Sequence, residues 1–145
     1  MTPAIIFDLD GTLSDPSRRR HLLHGDDRNF AAFEHEAGND PVVEPIKRLL
    51  LTLRLGNAIV LTTGRTERFR PLTAMWLALN EIPSDHLLMR RDRDGRPDHV
   101  VKREMLDQIH SMGLAPWLVV DDRNSVVKMW REAGLTCLQC NEGDF

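Results

Sequence analysis

The sequence predicts an α/β fold: a doubly wound parallel sheet with a small cap insertion after its first strand. Two observations support this prediction. The chain contains short uninterrupted apolar runs, and these runs alternate with longer segments whose apolar residues recur at helical spacing. Uninterrupted apolar runs are typical of parallel strands that are covered by helices on both faces. The alternation then implies right-handed crossovers, which bring the strands into one sheet.

Five short apolar runs are the predicted strands. They lie at 4–7, 57–61, 86–89, 117–120 and 135–139. The first run leads directly into Asp8-Leu9-Asp10-Gly11, so two like charges follow a strand that should be buried. Charges in such a place need a partner that neutralises them.

Helical spacing of apolar residues predicts four helices. They lie at 42–55, 66–80, 98–111 and 124–133. Residues 14–40 form a polar segment that is too long for an ordinary loop, and only Phe30, Phe33 and Ala37 in it indicate a short helix. We interpret this segment as a small cap over the end of the sheet, and we expect residues 1–145 to form one domain.

The composition excludes several classes of protein. Hydrophobic residues make up 41% of the 145 residues, and the net charge of −3 argues against a strongly basic nucleic-acid coat. No apolar run approaches the roughly 20 residues of a membrane span, and no signal peptide is evident, so we expect a cytoplasmic protein. Cys137 and Cys140 do not make a disulfide framework, and we expect both to be reduced.

Aromatic residues give little sign of nucleic-acid binding. The three tryptophans occupy positions that fit the core, at Trp76, Trp117 and Trp130. The sequence therefore shows no exposed aromatic stripe on which bases could stack.

Polar residues follow three of the predicted strands. They are Asp8 and Asp10 after the first strand, Thr63 and Arg65 after the second, and Asp121 and Asp122 after the fourth. Because ligands bind beyond the carboxyl ends of parallel strands, we expect these side chains to lie close together. Their four carboxylates would repel one another unless a cation lay among them, and Mg²⁺ prefers such oxygen ligands. The sequence therefore predicts that these four acids hold Mg²⁺ beside a phosphate.

The spacing also indicates chemical roles. In an extended segment Asp8 and Asp10 point to the same side, so one can attack a phosphorus atom while the other serves as acid and base. Either Thr62 or Thr63 can donate its hydroxyl to a phosphoryl oxygen, and we favour Thr63 because it directly precedes the glycine. Lys102 can supply positive charge to the transition state.

The segments DLDGTL, TTGR, DHVVK and DD occur in the order of the four motifs of haloacid dehalogenase-like (HAD) phosphohydrolases. The chain resembles that superfamily over nearly its whole length. The resemblance implies that Asp8 is the nucleophile that forms an aspartyl-phosphate, that Asp10 is the general acid and base, and that Mg²⁺ is the cofactor. It also implies two phosphate ligands and two metal-binding acids, namely Thr63, Lys102, Asp121 and Asp122.

The segments TTGRTERFR, DHVVKREML and EGDF resemble more narrowly the 3′-phosphatase domain of phage-type polynucleotide kinase–phosphatase. This resemblance implies that Arg65, Asp98 and one of Arg18–Arg20 bind substrate, and spacing from Asp10 favours Arg19. Because the arginine run lies in a polar insertion, we expect loss of Arg19 to cost little stability. The 145 residues contain no P-loop, so we expect no phosphorylation of 5′ ends by this chain.

The sequence therefore predicts a Mg²⁺-dependent phosphomonoesterase that acts on nucleic-acid 3′ ends, in DNA or RNA. The alternative is a small-molecule or mononucleotide phosphatase of the same superfamily. A third hypothesis, a binding module without activity, is disfavoured because the acids and Lys102 are intact. The small cap favours a cleft that is open to a macromolecular end. Neither a membrane nor a protein partner is indicated.

Overall fold

The computed structural model describes residues 1–145 as a five-stranded sheet with helices on both faces. The strands are β1 (Thr2–Asp8), β2 (Ala58–Thr66), β3 (His86–Arg90), β4 (Leu114–Asp121) and β5 (Thr136–Gln139). Their order across the sheet is β3-β2-β1-β4-β5, and every neighbouring pair is parallel. The predicted doubly wound α/β fold is therefore confirmed.

The helices lie close to their predicted bounds. They are α1 (Phe30–His35), α2 (Glu44–Leu53), α3 (Arg70–Leu79), α4 (Asp98–Ser111) and α5 (Asn124–Glu132), with single 3₁₀ turns at Arg20–Leu23, Glu36–Asn39 and Glu67–Phe69. The helix predicted at 66–80 begins later, because β2 continues through Thr66 and a 3₁₀ turn follows it. None of the helices has the length and apolar character needed to span a membrane.

The two faces of the sheet bury separate groups of side chains. Ile6 of β1 packs with Trp130 and other residues of α4 and α5, whereas Phe7 packs with Trp76 and other residues of α2 and α3. This alternation is the period-two pattern of a strand that is covered on both sides. Because β1 lies between β2 and β4, the carboxyl ends of these three strands adjoin at the point where the strand order reverses.

Trp117 corrects one prediction from the sequence. The side chain is 49% exposed, whereas the other two tryptophans are buried. β1 pairs with Pro116 and then with Leu118, so Trp117 is an extra, bulged residue that turns away from the core. Its indole Nε1 donates a hydrogen bond to Asn57 Oδ1 at 2.9 Å. The placement of Trp117 in the core was therefore wrong.

The segment 14–40, which was predicted to be a cap, is joined to the sheet by polar contacts. Glu34 of α1 accepts hydrogen bonds from the backbone nitrogen and the hydroxyl of Thr66, each at 2.8 Å. Trp76 Nε1 donates to the backbone oxygen of Asp40 at 2.9 Å. These contacts place the segment beside the carboxyl end of β2 and against α3.

Candidate active site

A buried lysine lies among aspartates at the carboxyl ends of β1 and β4. Lys102 of α4 donates from Nζ to Asp8 Oδ1 at 2.7 Å and to Asp121 Oδ2 at 2.9 Å. All three residues are at most 5% exposed. Burial lowers the pKa of Lys102, but the charges of Asp121 and Asp8 outweigh it and raise that pKa above its ordinary value. The ammonium group therefore stays charged although it is out of water.

Asp8, Asp121 and Asp122 form an acid cluster in which one carboxylate oxygen of each lies within 4.8 Å of the others. Burial, followed by the charge of Asp121, raises the pKa of Asp8 well above its usual range. Burial likewise raises the pKa of Asp122 to about 6. One lysine thus does not offset three buried carboxylates, and further positive charge would stabilise their ionised forms.

The hydrogen bonds of the acid cluster show where a cation would fit. Asp8 Oδ2 accepts from the hydroxyl of Thr12 at 3.0 Å, and Asp121 Oδ2 accepts from Trp130 Nε1 at 3.2 Å. In contrast, Asp122 Oδ2 is buried and has no hydrogen-bond partner. A buried carboxylate oxygen without a partner is uncommon. Three adjacent carboxylates offer the hard oxygen ligands that Mg²⁺ prefers, so the residues present fit this ion.

Gly11, which directly follows Asp10 in the turn after β1, allows Asp122 to come close. Its φ is +88°, and a Cβ at this position would lie 2.0 Å from Asp122 Oδ2. Only glycine satisfies both the left-handed backbone and the close approach. The group that approaches the Gly11 backbone is therefore the Asp122 carboxylate.

Asp10 lies outside the acid cluster, and arginines bind its carboxylate. Arg65 Nη2 donates to Asp10 Oδ1 at 2.6 Å, Arg19 Nη2 donates to the same oxygen, and Ser14 Oγ donates at 3.1 Å. Burial alone would raise the pKa of Asp10, but Arg65 and Arg19 outweigh it and hold the pKa well below the usual range. The structure brings together three of the four predicted metal-binding acids, and the role of Asp10 as a metal ligand stays a prediction.

Arg19 is far more buried than its polar surroundings in the sequence indicated. It is 2% exposed, whereas Arg18 and Arg20 are exposed. Its guanidinium donates to both carboxylate oxygens of Asp40 and to the backbone oxygen of Phe33. The expectation that its loss would cost little stability is therefore corrected, because Arg19 joins the cap segment to the turn after β1.

Arg19→Ala should lower the free energy of unfolding by about 3 kcal/mol, since removing one partner of a buried ion pair leaves the other charge uncompensated. For a chain of this size that loss corresponds to a melting temperature lower by about 10 °C. Thermal denaturation of Arg19→Ala and of the exposed control Arg18→Ala checks this. Equal melting temperatures for the two variants would contradict the structural role of Arg19.

The two threonines at the end of β2 are both buried. Thr62 pairs with Asp8 across the sheet, and its hydroxyl has no hydrogen-bond partner. Thr63 Oγ1 accepts from the backbone nitrogen of Arg65 at 3.1 Å, which leaves its hydroxyl proton free to be donated. Thr63 as the phosphate ligand stays a prediction, and Thr62 stays the alternative.

Asp98, which was predicted to bind substrate, contacts two arginines to which the sequence assigned no role. It accepts hydrogen bonds from Arg90 Nη2 and, at 2.8 Å, from Arg123 Nη1. Burial raises the pKa of Asp98, but Lys102 and these two arginines outweigh it and lower that pKa. The ionised carboxylate holds the Arg123 guanidinium, and substrate binding by Asp98 stays a prediction.

Sequence reasoning missed several other residues that complete the site. Ser14 and Thr12 belong to the DGTLS stretch, where hydroxyls next to two acids were a usable signal. Arg123 directly follows Asp121 and Asp122 in sequence, and this position next to two predicted site residues was also a usable signal. Asp40 belongs to no recognisable sequence motif, and it contacts Arg19 only because of the way the cap segment folds.

Comparisons with known proteins agree with this geometry. A family model described as the polynucleotide kinase PNKP phosphatase domain matches residues 2–145. Two solved structures, of the Pnkp1/Rnl/Hen1 complex and of the Pnkp1/Rnl/Hen1 RNA repair complex, each contain a chain that is 36% identical over the whole of this chain, with a TM-score of 0.84. This protein spans 48% and 44% of those two chains, which is about half of their length.

A hydrolase from Streptococcus pneumoniae TIGR4 has a TM-score of 0.63 at 16% identity, covering 97% of this chain and 93% of that chain. This likeness supports the fold alone. The family match, in contrast, covers nearly the whole chain and includes every predicted motif. The predicted relationship is therefore confirmed: the chain belongs to the polynucleotide kinase PNKP phosphatase domain family and is a phosphatase of the HAD type.

Proposed function

We propose that this protein is a Mg²⁺-dependent phosphomonoesterase that removes 3′-phosphates from nucleic-acid ends through an aspartyl-phosphate on Asp8. The observation that carries the proposal is the acid cluster at the sheet edge, in which Lys102 contacts Asp8 and Asp122 retains an unpartnered buried oxygen. Such a site offers a rigid nucleophile beside a place for a cation and a phosphate.

The residues of the site support a two-step reaction. In the first step an oxygen of Asp8 bonds to phosphorus, the bond from phosphorus to the ester oxygen breaks, and Asp10 donates a proton to the leaving oxygen. In the second step Asp10 takes a proton from water, whose oxygen attacks the phosphoryl group and releases phosphate from Asp8. Mg²⁺ held by the acid cluster would neutralise charge on the phosphoryl oxygens.

The charge state of Asp10 suits the second of these steps. Arg19 and Arg65 keep its carboxylate ionised, which is the form that accepts a proton from water. The same arginines disfavour the protonated form that the first step requires, so their contacts with Asp10 must loosen during the first step. Arg65 is also a residue that the family resemblance implies in substrate binding, and spacing from Asp10 favours Arg19 as the second such arginine.

Two findings support a nucleic-acid end as the substrate. The solved relatives at 36% identity belong to complexes of Pnkp1, Rnl and Hen1, and one of these is described as an RNA repair complex. The cap segment is short, which suits a cleft that is open to a chain end. The net charge of −3 means that attraction to a polyanion must come from local arginines.

A substrate panel tests the proposal directly. We expect a higher kcat/KM for a 3′-phosphorylated oligonucleotide than for a 5′-phosphorylated oligonucleotide, a 3′-mononucleotide or an aryl phosphate. The advantage should shrink as salt rises, because contacts with the nucleic-acid backbone are ionic. If mononucleotides are turned over as well as the oligonucleotide at low salt, the protein is a small-molecule phosphatase instead.

Mg²⁺ should be needed for turnover and should also stabilise the fold. At a concentration 100 times its Kd, an ion that binds only the folded state adds about 2.7 kcal/mol. Melting curves with EDTA and with Mg²⁺ measure this gain, which should be smaller in Asp122→Asn and unchanged in Asp107→Asn, an exposed control. Full activity in excess EDTA would contradict the metal requirement.

A further inference from the structure

Residues 141–145 cross the carboxyl end of β4, next to the acid cluster. A Cβ at Gly143 would lie 1.9 Å from the backbone oxygen of Asp122, so the chain approaches that residue as closely as glycine allows. Asn124 donates its backbone N–H to Gly143 O at 2.9 Å, and Arg123 Nε donates to Phe145 O at 2.9 Å. The residues that follow the paired acids therefore hold this segment in place.

The ring of Phe145 lies near the guanidinium groups of two arginines that come from separate segments of the chain. The guanidinium of Arg123 is 5.2 Å from the ring centroid, and that of Arg20 is 5.4 Å from it. Arg123 directly follows Asp122, and Arg20 directly follows Arg19, which is bound to Asp10. Consecutive Cα atoms are about 3.8 Å apart, so these contacts link Phe145 to both sides of the proposed catalytic centre.

Phe145 is 59% exposed despite these contacts. If the phenyl group served only to anchor the C-terminal segment, it would stabilise the fold by being buried. Arg20 is likewise exposed, and none of the salt bridges in the structure involves it, whereas Arg123 is held by Asp98 at 2.8 Å. An exposed ring beside two guanidinium groups combines aromatic stacking with positive charge, which is the chemistry that binds single-stranded nucleic acid.

We propose that Phe145, Arg20 and Arg123 form a platform that binds the nucleotide carrying the terminal phosphate. The base stacks on the exposed phenyl ring in place of the Arg20 guanidinium, which no carboxylate holds, and both arginines attract the adjoining backbone phosphate. This inference rests on the proposed function, since it requires the phosphate to lie at Asp8. The sequence showed no exposed aromatic stripe for stacking, and this inference assigns stacking to a single ring.

The test compares kcat/KM for a 3′-phosphorylated oligonucleotide with kcat/KM for an aryl phosphate in each variant. In Phe145→Ala and Phe145→Leu we expect this ratio to fall at least about 5-fold, as loss of one stacked base implies. Phe145→Trp should restore the ratio. Phe30→Ala is the matched control, because Phe30 is also exposed, at 62%, and no arginine lies over its ring.

A second substrate isolates the stacking contact. For wild-type protein, kcat/KM should fall by a similar factor when the 3′-terminal nucleotide of the oligonucleotide lacks its base. On that substrate, Phe145→Ala should have nearly the same kcat/KM as wild-type protein, because the stacking contact is already absent. Arg20→Gln changes only an exposed charge, and it should lower the ratio and weaken its dependence on salt.

The outcomes separate this inference from the proposed function. If Phe145 only anchors the C-terminal segment, its substitution will lower kcat/KM equally for the oligonucleotide and for the aryl phosphate. The ratio of the two values will then stay unchanged, which overturns the platform but not the proposed function. The platform is also overturned if the substrate without a base is used as well as the complete one. If wild-type protein shows no preference for the oligonucleotide, both the proposed function and the platform are wrong.

Discussion

Asp8→Asn is expected to abolish turnover and to leave the protein folded. The substitution keeps the size of the side chain at the end of β1, next to Lys102 Nζ at 2.7 Å and the Thr12 hydroxyl at 3.0 Å. It removes the charged oxygen that would attack phosphorus, so the covalent route is closed. Loss of the nucleophile of a serine protease can cost kcat about 10⁶-fold, and we expect at least about 10⁴-fold here.

The stability of Asp8→Asn should move in the opposite direction from its activity. A carboxyl group whose pKa is raised by folding makes the folded state less stable as pH rises through that range. Burial and Asp121 raise the pKa of Asp8 in this way. A neutral amide removes that cost, so without divalent cations the variant should melt at the same temperature as wild type or higher. Lost activity together with a retained melting temperature would identify a chemical role.

Two measurements check the role of Asp8. Borohydride reduction during turnover should convert an aspartyl-phosphate to homoserine, which mass spectrometry would locate at residue 8 of wild-type protein only. Asp107→Asn is the matched control, because Asp107 is an exposed acid on α4 and should retain both activity and stability. Residual activity of Asp8→Asn above about one per cent would exceed what loss of a proton-transfer group alone typically leaves, and would point to another nucleophile.

Local patterns were sufficient to predict most of the fold and the centre of the site. The apolar spacing predicted the bounds of α4 as 98–111, and the structure has the same bounds. The acids of β1 and β4 were predicted to meet because parallel strands end at one edge, and Asp8, Asp121 and Asp122 do meet there. Such features depend only on periodicity and on the order of elements along the chain.

Features that depend on contacts between distant segments could not be predicted in this way. Trp117 has the apolar character of a core residue, but a register shift against β1 turns it outward. Arg19 belongs to a polar run, yet the cap folds it against Asp40, which is 21 positions away. Asp10 resembles a metal ligand in its motif, whereas two arginines from separate segments bind its carboxylate. Neighbours in sequence contain no information about these pairings.

Lys102→Met should be the most destabilising single substitution in the site. Lys102 is 3% exposed and is the only cation in direct contact with Asp8 and Asp121. Methionine fills a similar volume, so the main effect is to leave buried carboxylates without their partner. Removing one member of a buried ion pair typically costs 3–5 kcal/mol, and we expect a loss of about this size without divalent cations. Lys128→Met is the matched control, since the Lys128 side chain is 77% exposed.

Mg²⁺ should recover much of the stability of Lys102→Met but little of its activity. A cation in the acid cluster replaces part of the lost positive charge, so the rise in melting temperature with Mg²⁺ should be larger in this variant than in wild type. Turnover should still fall about 10²–10³-fold, the usual cost of losing one preorganised group that stabilises the transition state. Melting curves and kcat measured with and without Mg²⁺ test both parts.

If Mg²⁺ stabilises the variant no more than wild type, the ion does not bind beside Asp8 and Asp121. If turnover of the variant in Mg²⁺ is near that of wild type, Lys102 is a structural counter-ion and has no part in stabilising the transition state.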